Sequence, residues 1–89
     1  MEQSQIVMYT APWCHDCRVA KRVLEQHSIG YIEFDVDQDD EAMIQLKKLN
    51  GGYSTIPVII FPSGTIIREP SARQFEEVLV SEGFLEIKP

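Results

Sequence analysis

The chain has 89 residues and a formal charge of −6, which predicts one small domain, residues 1–89, with a single core. A chain of this size buries about 60–70% of the surface that its unfolded form exposes. The acidic balance excludes the basic footprint of non-specific nucleic-acid binding, and no apolar run approaches the roughly 20 residues of a membrane span.

The start, Met1-Glu2-Gln3-Ser4-Gln5, is acidic and polar, without the basic and apolar segments of a signal peptide. The expected location is the cytoplasm, with a monomer and no membrane partner. Ile6-Val7-Met8-Tyr9 is a short apolar run that predicts a buried strand. Thr10 to Trp13 form a loop. From His15 to His27 the apolar residues Val19, Ala20, Val23 and Leu24 recur at helical spacing, and Gly30 is suited to the cap or turn that follows. Tyr31 to Asp37 alternates: Ile32, Phe34 and Val36 are expected in the core, with Glu33, Asp35 and Asp37 facing away, in a strand near a sheet edge. Glu41 to Leu49 predicts a second helix on Ala42, Met43, Leu46 and Leu49, broken by Asn50-Gly51-Gly52. Pro57 to Phe61 and Thr65 to Ile67 form a hairpin around Pro62-Ser63-Gly64. Ser71-Ala72-Arg73-Gln74 has the form of a capping box. It opens a last helix with Phe75, Val78 and Leu79 inward.

The order β-α-β-α-β-β-α predicts an α/β fold: a four-stranded mixed sheet flanked by three helices on both faces. Its first two strands are parallel, with a right-handed crossover. Asp35 to Glu41 begins like a calcium loop, but Asp40 stands where the turn glycine belongs and Leu46 where the last acid belongs. Calcium is rejected in favour of a solvated acidic turn at a helix start.

The chain's two cysteines stand as Trp13-Cys14-His15-Asp16-Cys17. This C-x-x-C falls between a strand and a helix, the context of a thioredoxin-like redox motif. A disulfide across it closes too short a loop to staple distant elements, so the thiols are better placed for chemistry than for stability. Thiolate is the nucleophile in disulfide exchange, and the unpaired N–H groups and dipole of a helix N-terminus favour it. Cys14, at the helix start, is therefore the expected attacking thiol, and Cys17, about one turn further in, the resolving thiol. His15 and Asp16 tune the pair in opposite senses. Arg18 is balanced between favouring thiolate and standing in solvent, whereas Lys21 and Arg22 read as surface residues. Metal is not expected: two thiolates fall short of a four-ligand zinc site, and neither His15 nor His27 completes a compact cage. An iron–sulfur cluster bridged by Cys14 across a dimer is the alternative reading.

Tyr9 to Cys17 together with Thr55-Ile56-Pro57 resembles the glutaredoxin family along nearly the whole chain. Asn50-Gly51-Gly52, Phe61 to Thr65 and Glu69-Pro70-Ser71 resemble its mycoredoxin branch. The resemblance implies a thioredoxin-like fold with Pro57 in the cis form, and a thiol–disulfide oxidoreductase that acts on disulfide-containing proteins or mixed disulfides. It also implies a groove lined by Trp13, Thr55, Ile56 and Ser71, with Ser71 either holding a carboxylate or capping its helix. No bound cofactor is implied. Two stretches depart from many members: Ala11 stands where a lysine is common, and Arg68-Glu69-Pro70-Ser71 replaces a Gly-Gly-Cys-Asp stretch. The implied electron donor is a low-molecular-weight thiol of the glutathione or mycothiol type, with mycothiol favoured by these departures, or a thioredoxin-reductase-type flavoprotein.

Overall fold

A computed structural model describes residues 4–86; the polar start read at Met1-Glu2-Gln3 lies outside them. The elements are β1 (Ile6–Thr10), α1 (His15–Gln26), β2 (Tyr31–Asp35), α2 (Asp40–Leu49), β3 (Val58–Ile60), β4 (Ile66–Arg68) and α3 (Ala72–Ser81), in the expected order. The sheet order is β2-β1-β3-β4. β1 runs parallel to β2, with Ile6 opposite Tyr31, and antiparallel to β3, with Val7 opposite Ile60. β3 and β4 form the antiparallel hairpin.

The two-residue period of the strands divides the core into halves. Ile6, Met8, Ile59 and Phe61 pack with Ala20, Val23 and Leu24 of α1 and Phe75 and Leu79 of α3. On the other face Val7, Tyr9, Val58 and Ile60 pack with Ala42, Met43, Leu46 and Leu49 of α2. β1 and β3 are covered on both sides, which accounts for their unbroken apolar sequences.

β2 corrects the alternation reading. It is an edge strand, as expected, but α2 packs mainly on the apolar residues of β1 and β3. Ile32 and Phe34 are consequently 43% and 36% exposed, while Val36, beyond the strand's end, is buried. Phe34 gains partial cover by stacking on Tyr9, with ring centroids 5.5 Å apart. Glu33 is exposed, as expected, and lies on the α1 side of the sheet edge: its carboxylate accepts from Lys21 Nζ at 2.9 Å and from the buried Thr10 hydroxyl. Burial of Glu33 favours its neutral form, but the Thr10 hydroxyl and the Lys21 ammonium outweigh that and hold its carboxyl below the ordinary 4.5.

The helix ends also refine the sequence reading. The turn after α1 is closed not at Gly30 but by Ser28 in the left-handed region, φ 55°. Ile29 N–H donates to Leu24 O at 2.9 Å and Ser28 N–H to Glu25 O at 3.2 Å, the paired bonds of a Schellman closure. α2 ends in the same way through Gly51 at φ 64°, with Gly52 N–H donating to Lys47 O at 2.7 Å. At its start, α2 extends one residue earlier than expected because Asp39 caps it, accepting from Ala42 N–H. The capping box of α3 is present: Ser71 Oγ accepts from Gln74 N–H, and the Gln74 side chain accepts from Ser71 N–H.

Candidate active site

Cys14 sits at the N-cap of α1 with extended backbone, φ −84° and ψ 110°. Its Sγ accepts from Cys17 N–H at 3.1 Å, so the sulfur takes the place that a serine or aspartate oxygen holds at other helix starts. The preceding turn is closed by Cys14 N–H donating to Ala11 O, and the helix proper begins with Arg18 N–H donating to Cys14 O. A negative charge on Sγ is therefore met by a first-turn amide and by the positive end of the helix dipole. The two cysteines are joined as a disulfide, with Cα atoms 5.2 Å apart. Cys14 retains 6% exposure and Cys17 none. Cys14 is thus the sulfur of the pair that borders the surface, while Cys17 faces only its partner sulfur and the core.

The wall opposite is the segment before β3, where the Ile56–Pro57 bond is cis. Trp13, Cys14, His15, Asp16, Ser54, Thr55, Ile56 and Glu69 line one groove of about 350 Å³. Of the residues expected from sequence, the structure gathers Trp13, Cys14, His15, Asp16, Thr55 and Ile56 there. Pro57 is fully buried behind the wall. Ser71 is not among the lining residues, and its hydroxyl is occupied in capping α3. Trp13 is 67% exposed, and its indole N–H donates to Asp37 Oδ2 at 2.7 Å. Arg18 directs its guanidinium to the Pro12 carbonyl at 3.1 Å, bracing the loop before Cys14.

Four contributors have no site role in the sequence reading. Ser54 and Glu69 complete the lining. Asn50 and Arg68 brace the wall from outside. Arg68 Nε donates to Asn50 Oδ1 at 2.8 Å and Arg68 Nη2 to Leu49 O at 2.7 Å. Asn50 Nδ2 in turn donates to Thr55 O at 3.0 Å. The end of β4, the end of α2 and the groove wall are thereby tied together. Asn50 before two glycines reads as a helix stop, and no local spacing connects it to a residue 18 positions on.

A mixed four-stranded sheet with a C-x-x-C pair at the start of its first helix defines a dithiol protein of the thioredoxin-like fold. The glutaredoxin family model matches residues 6–67, and the chain belongs to the glutaredoxin family. A Mycobacterium tuberculosis protein bearing the glutaredoxin name is 31% identical over 80 residues, 90% of this chain and 95% of that protein. Mycoredoxin 1 of Corynebacterium glutamicum is 32% identical over 71 residues, 80% of this chain and 87% of that protein. Among solved structures, the thioredoxin-like protein BC3987 superposes with a TM-score of 0.72 at 27% identity, covering 84% of this chain and all of that one. Among the described residues no helix is long and apolar enough to cross a membrane.

Proposed function

We propose that this protein is a dithiol oxidoreductase that reduces protein disulfides and mixed disulfides with low-molecular-weight thiols. Cys14 acts as the nucleophile and Cys17 as the resolving thiol. The observation that carries this reading is the asymmetry of the pair: Cys14 Sγ, at the N-cap and in the groove, accepts a first-turn N–H, while Cys17 is fully buried behind it.

The exchange proceeds in two displacements. Cys14 thiolate attacks one sulfur of the substrate disulfide, forming a protein–substrate disulfide and expelling the other sulfur as a thiolate. Cys17, losing its proton, attacks Cys14 Sγ, forms the Cys14–Cys17 bond and releases the second substrate sulfur as a thiolate. The two protons given up by the dithiol are taken by the two leaving thiolates, so one substrate disulfide becomes two thiols as one dithiol becomes a disulfide. Trp13 and the Thr55-Ile56 wall confine the substrate beside Cys14.

Two molecules of a low-molecular-weight thiol, the donor class of the family, reduce the Cys14–Cys17 disulfide: the first forms a mixed disulfide with Cys14, the second displaces Cys14 from it, and the pair leaves as its own disulfide. Parallel assays with glutathione, mycothiol and a thioredoxin-reductase-type flavoprotein identify the donor. We assign the protein to a reducing compartment, the cytoplasm, where such a dithiol is continuously regenerated.

The decisive experiment compares Cys14→Ser with Cys17→Ser. Cys14→Ser abolishes exchange with every disulfide. Cys17→Ser accumulates a stable mixed disulfide with protein substrates, visible as a mass increase that dithiothreitol reverses. Wild-type turnover in Cys14→Ser removes the assignment.

A further inference from the structure

The groove beside Cys14 has two carboxylates in its lining, Asp16 and Glu69, and neither lysine nor arginine. Both are exposed, and among the described residues neither joins an ion pair. The guanidinium groups closest to them in sequence keep their charge but are directed to neutral acceptors and stand outside the lining. Arg18 donates to the Pro12 carbonyl, and Arg68 donates to Leu49 and Asn50. A third carboxylate, Asp37, holds the Trp13 indole N–H, so the aromatic wall also carries negative charge at its edge. His15 is the one basic side chain in the lining.

Glu69 is held at the groove by its backbone. It adopts φ 48°, and its N–H donates to Pro57 O at 2.9 Å, joining the residue to the wall that faces Cys14. Positive φ is uncommon for a residue with a Cβ, so the chain directs this side chain along a path that an ordinary extended continuation of β4 does not follow.

We propose that the groove selects its disulfides by charge, with Glu69 and Asp16 as the discriminating residues. The preferred substrate is a peptide or protein disulfide with lysine or arginine beside the reacting cysteine. Substrates with carboxylates at that place are disfavoured. This rests on the oxidoreductase reading above, and the covalent step is the one already described. A single close charge contact across water changes an equilibrium about fivefold. Replacing a favourable cation by an anion opposite two carboxylates therefore changes kcat/KM about tenfold or more at low salt. The effect shrinks when the screening length falls to about 3 Å in 1 M salt.

The test uses the full chain, pre-reduced, in single turnovers that need no external donor. Three synthetic peptides each carry one cysteine as a mixed disulfide with 2-mercaptoethanol, and differ only in having lysine, alanine or glutamate on either side of it. Release of peptide thiol is followed by mass spectrometry. The lysine peptide is expected to react about tenfold faster than the glutamate peptide at 20 mM salt, and about twofold faster at 1 M. Glu69→Gln lowers the low-salt ratio about threefold, and Glu69→Gln with Asp16→Asn brings it close to one. Glu41→Gln on α2, outside the groove, removes the same unit of net charge and leaves the ratio unchanged.

Equal rates for the lysine and glutamate peptides, with the alanine peptide still reduced, overturn the charge selection and leave the oxidoreductase reading standing. A ratio that falls equally in Glu41→Gln and Glu69→Gln also overturns it, since the discrimination then belongs to the whole molecule's field. Failure to reduce any of the three removes the oxidoreductase reading and the selection with it.

Discussion

Arg68→Met retains an apolar stem at the end of β4 and deletes both donors of the brace. Two hydrogen bonds are lost, to Asn50 Oδ1 and to Leu49 O. A typical intramolecular hydrogen bond contributes about 0.5–1.5 kcal/mol net. Because Arg68 is exposed, water replaces part of what is lost, so the expected cost is about 1–2 kcal/mol. For a domain of this size each kcal/mol shifts Tm by about 4–8 °C, which gives a fall of roughly 4–16 °C. The orientation of the Asn50 amide is set by its two partners, with Oδ1 accepting from Arg68 and Nδ2 donating to Thr55 O. Freed from Arg68, the amide no longer holds the Thr55 carbonyl in one position, and the groove wall loosens. Turnover measured well below Tm, where all the protein is folded, is expected to show a several-fold rise in KM for a disulfide substrate. Arg68→Lys supplies one donor and restores part of the stability. A double-mutant cycle between Arg68→Met and Asn50→Ala is expected to be non-additive by about 0.5 kcal/mol or more. Full additivity, or a melting curve and KM both unchanged in Arg68→Met, refutes the brace.

Glu33→Gln tests the ion pair beneath α1. The folded carboxyl lies below its ordinary 4.5, so its contribution is complete above that value and disappears as pH falls through the folded pKa. Wild type is therefore expected to exceed Glu33→Gln in stability at pH 7 by less than about 1 kcal/mol, since both side chains are partly exposed. Denaturant melts at a series of pH values should show that difference closing below pH 4.5. Ser71→Ala removes the cap of α3 and is expected to cost about 1 kcal/mol, whereas Ser71→Asp caps equally well and keeps the wild-type Tm. Equal losses in both variants exclude capping as the role of the hydroxyl.

The elements that local pattern specifies were legible without coordinates. Val19, Ala20, Val23 and Leu24 mark α1, and the Ser71–Gln74 spacing marks the start of α3, because helix periodicity and caps are determined by neighbours three or four residues apart. The glutaredoxin resemblance was carried by the stretch around Cys14 and by Thr55-Ile56-Pro57. β2 shows the limit of such reasoning. Its alternation identified a strand but not how much of each face was covered, since coverage depends on where α2 settles on the sheet. The partners of Glu33 were hidden for the same reason: Thr10 and Lys21 are distant in sequence and adjacent to it only after β1 and β2 pair in parallel.

By itself the sequence determined the dithiol, its polarity and the order of the elements. A C-x-x-C at a helix start is a local arrangement, and one turn of helix suffices to make Cys14 the accessible sulfur and Cys17 the buried one. Only the tertiary structure decided what faces that sulfur. Glu69 reaches the groove through a backbone bond to Pro57, and Arg68 reaches the wall through Asn50. Both depend on β4 returning beside β3 and on α2 ending next to it. Contacts between residues far apart in the chain arise from packing the whole sheet, and no period or spacing along the sequence encodes them.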